Sequence, residues 1–219
     1  MKNPISSAVE DYLKAIFELG EKEVKTQDLA ALLGFSPASV TGMLNKLSKL
    51  NLVIYKKYYG VSLTKDGRLM ALETIRHHRL IETYLMQALG YEWHEVHDEA
   101  DRLEHVISED FEERIAKIIG NPSYDPHGDP IPRKNGSMPQ LLGKPLILFE
   151  VGSKIKLTRI TKQDSDVLIY LAKHELKPGE IFRIEARAPF EGPVTLNQGK
   201  KPISIAYNLA KSIYAQTAI

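Results

Sequence analysis

Residues 36–64 read SPASVTGMLNKLSKLNLVIYKKYYGVSLT. Ser36 is a good helix cap, and Pro37 suits the first helical position because its missing N–H would have no intrahelical partner there. Val40, Met43, Leu44, Leu47 and Leu50 then recur at three- and four-residue spacing, the buried stripe of one helix. Behind it, Leu52–Lys56 and Val61–Thr64 read as two strands around a turn of Lys57, Tyr58, Tyr59 and Gly60. Upstream, Thr26–Leu33 is a short helix with Thr26 as its cap, Leu29, Ala30, Leu32 and Leu33 as its apolar face and Gly34 as its stop. Two short helices joined through a tight glycine-containing turn are a helix-turn-helix signature, and the hairpin that follows is a wing. A first helix from Ser6 to Leu19, capped by Ser6 or Ser7, adds Val9, Tyr12, Leu13, Ile16 and Phe17 to the same core.

Downstream, a helix runs from Lys65 past Leu69, Leu72, Ile75, Leu80 and Leu85 to Gly90, and a second one is predicted over His94–Ile119. The segment 121–139, NPSYDPHGDPIPRKNGSMP, has five prolines and few large apolar side chains, so it reads as a linker without a packed element of its own. From Lys144 the pattern changes to short alternating strands, SKIKLTRI, DVLIYL, GEIFRIEAR, PVTLNQG and KPISIAYNLAKSIY, which suit a small five-stranded barrel of the SH3 type. The predicted fold class is mainly α with a small β part. A winged helix-turn-helix occupies residues 1–72, a helical dimerisation and metal-binding domain with its linker 73–140, and an SH3-like β-barrel 141–219.

With 219 residues and 43% hydrophobic content the chain can bury a sizeable core. No run approaches the ~18 apolar residues of a membrane span, and MKNPISSAVEDY places acidic residues where a signal peptide needs an apolar segment, so a cytoplasmic location is expected. The absence of cysteine excludes disulfides, iron–sulfur clusters and thiolate zinc sites. Any metal must be held by oxygen and imidazole. The net charge of +1 hides an uneven distribution: residues 91–115 hold ten Asp and Glu against only Arg102 and Arg114, while 141–219 hold twelve basic against seven acidic residues.

That acidic block contains HDEADRLEH (97–105), in which His97, Asp101, Glu104 and His105 share one face of the predicted helix. Asp11, whose helix is pinned by Val9, Tyr12, Leu13 and Ile16, completes a first site of Asp11, Asp101, Glu104 and His105. His78 and Glu82, four apart on the preceding helix, face His97 if the two helices are antiparallel across Gly90–Tyr91, and form the core of a second site. A lone pair of this kind is usually a polar helix exterior, but two clusters together point to a cation. Mainly oxygen ligands suit Mn2+ or Fe2+ rather than Cu+, which prefers sulfur. The start of the Ser36 helix offers Ser36, Pro37, Ala38, Ser39, Thr41 and backbone amides to DNA, with Lys46 and Lys49 behind, and Lys56, Lys57, Tyr58 and Tyr59 flank it on the wing. One such module with nearly balanced charge binds DNA weakly, because phosphate contacts dominate affinity, and a two-fold dimer would repair this.

Six segments carry a resemblance across essentially the whole chain: EDYL (10–13), SPASVTGMLNKL (36–47), GVSLTKDG (60–67), HRLIE (78–82), HDEADRLEH (97–105) and DPHGDPIP (125–132). The chain resembles the diphtheria-toxin-repressor family of iron- and manganese-dependent transcriptional repressors. The resemblance implies a homodimer that, with its cation bound, occupies a palindromic operator in double-stranded DNA and represses metal-uptake genes. It also implies two metal sites per chain. Asp11 stands where iron-type members have Met and manganese-type members often have Asp. Asp101 stands where iron-type members have Cys and manganese-type members Glu, while Glu104 and His105 match unchanged. Loss of the soft ligands makes Mn2+ the first choice and Fe2+ the second. Lys14 stands where some two-manganese members place a second carboxylate. For the second site the resemblance implies His78, Glu82 and His97, or, as in streptococcal-type manganese members, added residues that here would be Asp125, His127 and Asp164; Asp125 again replaces a Cys. Gly42 lacks the longer polar side chain often found at its position. Two other readings stay open: a winged-helix regulator of an organic ligand, for which the acidic block is mere surface, and a metallohydrolase, for which HExxH is lacking and the DNA-binding head unexplained.

Overall fold

The apolar periodicities resolve into eight α-helices and eight strands in a computed structural model that describes residues 6–199 and 201–218. In chain order these are α1 (Ser7–Glu18), α2 (Thr26–Leu33), α3 (Pro37–Lys49), β1 (Val53–Lys56), β2 (Gly60–Leu63), α4 (Lys65–Leu89), α5 (Val96–Leu103), α6 (Glu109–Ile118), β3 (Lys144–Pro145), β4 (Lys154–Ile160), α7 (Ser165–Lys173), β5 (Ile181–Arg187), β6 (Val194–Asn197), β7 (Ile203–Ile205), α8 (Tyr207–Ala210) and β8 (Ile213–Thr217). Among the described residues no helix is long and apolar enough to cross a membrane. The chain forms two compact units: one reaches to His78 and includes 102–107 and 132–137, and the other holds 79–101, 108–131 and the chain from 138 onward.

The first unit contains the winged helix-turn-helix. Leu13, Ile16, Leu29, Val40, Leu44, Leu47 and Val61 are fully buried in one cluster drawn from α1, α2, α3 and β2. The Ser36 hydroxyl accepts from the Ser39 backbone N–H and Pro37 takes the first helical position, as expected. The other caps differ. Ser6 stands at the cap position of α1 without a side-chain capping bond, and Thr26 is the first helical residue of α2, with Lys25 in the cap position. The wing pairs Val53 with Leu63 through Lys56 with Gly60, and Val24 bridges to Val61 from outside it. The first turn of α4 lies against the hairpin: the Thr64 hydroxyl donates to the carbonyls of Asn51 and Leu52, and a Cβ on Gly67 would stand 1.9 Å from the Leu52 oxygen. Only glycine fits there.

The predicted helix over His94–Ile119 is two helices, α5 and α6, separated by a turn. Ser108 ends the continuity, because its hydroxyl accepts from the Phe111 N–H and starts α6, and Glu109, Asp110 and Glu112 complement the positive end of the new helix. Glu104 and His105 therefore sit in the turn after α5 rather than on a helical face.

In the second unit the C-terminal strands form one antiparallel sheet in the order β3-β8-β4-β5-β6-β7. Its inward residues Ile155, Leu157, Phe182, Ile184, Val194, Leu196, Ile205 and Ile213 are buried together. There are six strands rather than five, and β3 and β7 end the sheet without pairing to close it. DVLIYL is not a strand but lies in α7: Leu168 and Leu171 are buried at three-residue spacing, and Asp166 and Lys173 suit the two ends of the helix dipole. KPISIAYNLAKSIY divides into β7, α8 and β8. Residues 121–131 contain no helix or strand, yet Asp125, His127, Asp129 and Ile131 are buried in a tight turn closed by Asp125 N–H to Asp129 O and Ile131 N–H to Ser123 O. The proline-rich segment is thus packed in its first half.

Gly67→Ala is expected to lower unfolding stability by roughly 1–3 kcal/mol, the usual cost of overpacking a tight contact, as read from urea denaturation.

Candidate metal centres and DNA-facing surface

In the first unit Asp11, Glu104 and His105 converge, each offering one ligand atom within 4.8 Å of the others. Asp11 comes from α1, whose neighbouring Tyr12 and Leu13 are buried and fix its phase. His105 Nε2 lies 2.9 Å from Asp11 Oδ1 and 3.4 Å from Glu104 Oε1, while its Nδ1 lies 2.5 Å from Glu10 Oε2. Burial raises the Asp11 pKa above its ordinary value, helped by the Glu104 charge and opposed by His105 and Lys14. Burial acts the same way on Glu104, but there the hydrogen bond from His78 and the Lys14 charge prevail and hold the carboxyl below its ordinary value. His78 Nδ1 lies 2.5 Å from Glu104 Oε2, and the Lys14 ammonium donates to both oxygens of Glu104 at 3.1 and 2.9 Å.

In the second unit Glu82, Asp125 and His127 form another cluster within the same limit, and all three are buried. Asp125 Oδ1 accepts from the backbone N–H groups of His127 and Asp129, at 2.8 and 2.9 Å. Arg79, three residues before Glu82 on α4, places its Nε 3.6 Å from Asp125 Oδ2 and donates to the Pro130 carbonyl. Asp129 receives Arg159 and the Gln163 amide, which clamp the far side of the turn. Gly128 makes the close approach possible: it has φ 88°, and a Cβ there would stand 2.0 Å from the Thr158 oxygen. Burial pushes the Asp125 carboxyl up to about 7, with repulsion from Glu82 and Asp129 adding to it and Arg79 and His127 opposing it. Burial lowers the His127 pKa, but the nearby Glu82 and Asp125 carboxylates outweigh it and raise the imidazole above its ordinary value.

His127 is 0% exposed, its ring stacks on Trp93, and its Nε2 meets the Trp93 carbonyl at 3.3 Å. In the neutral ring that contact puts the proton on Nε2 and leaves the Nδ1 lone pair facing Glu82 Oε2, 3.8 Å away. Among the described residues Nδ1 has no hydrogen-bond partner. A buried lone pair beside two buried carboxylates is a donor set suited to a hard or borderline divalent cation, and the first cluster offers the same three donor types.

The remaining predicted ligands fall as follows. Asp101 belongs to the second unit, where its carboxylate lies 3.7 Å from His97 Nε2, and His97 Nδ1 lies 3.2 Å from Glu82 Oε1. His78 belongs to the first unit, on Glu104. Asp164 is exposed at the cap position of α7 and joins no three-ligand cluster among the described residues. Glu10, Lys14 as a partner of Glu104, Arg79, Trp93 and Asp129 join the two clusters without being among the ligands expected from the sequence. Only the adjacency of Glu10 to Asp11 offered a signal, because the others act through contacts distant in sequence.

The first unit also presents a cleft of about 750 Å³ lined by Lys25, Thr26, Gln27, Pro37, Thr41, Asn45, Tyr55, Lys57 and Tyr58. Ser36, Pro37, Ala38, Ser39 and Lys46 are exposed along α3, and Tyr58 is 92% exposed at the wing tip with Lys57 over its ring. The Thr41 hydroxyl is engaged with the Pro37 carbonyl at 2.8 Å. Lys25, Thr26, Gln27, Asn45 and Tyr55 are additions to the predicted set; the start of α2 had been read for its cap alone.

Residues 5–61 match the family model described as the iron dependent repressor N-terminal DNA binding domain. Residues 64–133 match the iron dependent repressor metal binding and dimerisation domain, and 144–217 the FeoA domain. The chain belongs to the iron-dependent repressor family. Among solved structures it is similar to a manganese-dependent transcriptional repressor in complex with manganese, with TM-score 0.88 and 34% identity over 96% of this chain and 100% of that one. It is also similar to ScaR with bound Zn2+, with TM-score 0.80 and 33% identity over 96% and 99% of the two chains. The iron-dependent repressor IdeR of Mycobacterium tuberculosis is 36% identical over 132 residues, which are 59% of this chain and 57% of that protein. The chain thus matches a little over half the length of those mycobacterial relatives. The diphtheria toxin repressor of Corynebacterium diphtheriae is 27% identical over 216 residues, 93% and 94% of the two chains.

Because the folded pKa of Asp125 lies above its ordinary 3.8, the native state binds an extra proton between about pH 4 and 7. Stability of the metal-free protein from this group is therefore lost as pH rises through that window. Asp125→Asn is expected to flatten the decline while keeping the two backbone hydrogen bonds, as read from thermal melts at pH 5 and pH 8 in chelator.

Proposed function

We propose that this chain is a transcriptional repressor whose hold on double-stranded DNA requires a bound divalent cation, Mn2+ first and Fe2+ second, and that it is not an enzyme. It acts in the cytoplasm as a homodimer on a palindromic operator and controls metal-uptake genes. The domain limits are 1–72 for the reading head, 73–140 for the dimerisation and metal-binding part and 141–219 for the SH3-like part, a division supported by the three family matches.

The observation that carries this reading is the convergence of Asp11, from inside the reading head, on Glu104 and His105 from the segment after α5. When bound, the cation supplies positive charge and coordination bonds that oxygens and imidazole from distant parts of the sequence share. Asp11 offers its Oδ1 from a helix that cannot rotate, because Tyr12 and Leu13 are buried beneath it. Tyr12 also stacks on Phe35 at 6.2 Å, one residue before the Ser36 cap of α3, so the position of α1 and the start of the recognition helix are mechanically joined. Glu104 and His105 hold the other side. Swinging the reading heads from 1:99 to 99:1 in favour of the DNA-competent arrangement needs about 5.5 kcal/mol of differential binding. The second site is Glu82, Asp125 and His127, with His78, His97, Asp101 and Asp164 as the remaining candidate ligands of the two sites. The hard donor set, without sulfur, favours Mn2+.

On DNA, Ser36, Pro37, Ala38, Ser39 and Thr41 face the bases and phosphates, while Lys46, Lys57 and Tyr58 flank the backbone, with Lys25 and Gln27 also lining the cleft.

Glu104→Ala is expected to abolish Mn2+-dependent retardation of a promoter fragment in a gel-shift titration while leaving the far-ultraviolet circular dichroism unchanged; undiminished Mn2+ dependence would refute the proposal. Lys57→Ala is expected to weaken binding about equally on all sequences and to reduce the slope of log affinity against log salt by about one.

A further inference from the structure

We infer that Lys14 is a built-in competitor of the metal at the first cluster: its ammonium is the resident counter-charge of Glu104 and sets the cation concentration at which the cluster fills with one ion. This deepens the metal reading above and rests on it.

The carboxylate of Glu104 is 1% exposed and fully engaged without any metal. Oε2 receives the Lys14 ammonium at 2.9 Å and lies 2.5 Å from His78 Nδ1, and Oε1 receives Lys14 at 3.1 Å. Lys14 Nζ also lies 3.2 Å from His78 Nδ1. An ammonium that touches both oxygens of a buried ligand and an imidazole nitrogen stands where a cation would stand. A divalent ion taken up by Asp11, Glu104 and His105 needs an oxygen that Lys14 now holds, and it brings a double charge within a few ångströms of a fixed single one. Charge balance limits the number of ions. With His105 neutral, as ligation requires, and His78 neutral as well, Glu10, Asp11 and Glu104 carry three negative charges against one on Lys14, a deficit that one divalent cation cancels and a second overshoots.

A purely structural Lys14 makes the opposite prediction. If the lysine merely steadied Glu104, removing it would loosen the ligand and weaken metal binding. If it competes, removing its charge tightens binding.

The test uses the full chain carrying His127→Ala, which silences the second cluster, and follows free Mn2+ by electron paramagnetic resonance. Lys14→Met and Lys14→Gln are expected to bind Mn2+ at least about tenfold more tightly than the Lys14 protein, and Lys14→Arg to bind close to it. Equal or weaker binding by the neutral variants overturns the inference and leaves the metal site standing. Undiminished binding by Glu104→Gln would instead remove the first cluster as a metal site, and the inference with it. A measurement without substitution of Lys14 guards against misfolding: in lysine-15N protein, titration with diamagnetic Zn2+ is expected to shift the Lys14 Nζ resonance in step with occupancy of the cluster. A resonance that does not move overturns the inference.

Discussion

A carboxylate taken out of water needs positive charge or hydrogen-bond donors beside it, and this protein buries three that matter: Glu104 in one unit, Glu82 and Asp125 in the other. Each has recruited what it needs from elsewhere in the sequence. Lys14 and His78 close on Glu104, while Arg79 and the backbone amides of His127 and Asp129 close on Asp125. The local architecture follows from that demand. The turn after α5 leaves the helix so that Glu104 and His105 reach α1, and the 121–131 segment folds back on itself so that Asp125 and His127 reach Glu82.

The Asp125 carboxyl is driven up by burial and by its carboxylate neighbours, and a buried imidazole lone pair has no hydrogen bond. In the first unit Asp11 stands on α1, whose Tyr12 stacks on Phe35 at the entrance to α3.

Much of this was legible in the chain itself. The apolar stripes of α1 to α4, the Ser36-Pro37 start of α3 and the tyrosine-rich wing all follow from short-range periodicity and turn chemistry, and the structure has them within a few residues of the predicted bounds. Other elements were misread for identifiable reasons. DVLIYL is rich in β-branched and aromatic residues and so looked like a strand, but burial of Leu168 and Leu171 on one face outweighed local propensity. HDEADRLEH looked like one helical face because spacing alone cannot reveal that Ser108 starts a new helix. The proline-rich segment looked like an idle linker, since nothing local discloses that Asp129 will be clamped by Arg159 and Gln163.

The kind of ligand was a matter of composition: without cysteine, only oxygen and imidazole remained, and histidines and carboxylates at helical intervals announced a hard cation. Which of them meet was a matter of packing. Asp11 with Glu104 and His105, Glu82 with Asp125 and His127, and Lys14 seated on Glu104 are pairings across long stretches of chain. They depend on how buried faces choose one another, because burial free energy is summed over whole surfaces whereas sequence patterns report only a helical turn or a strand at a time.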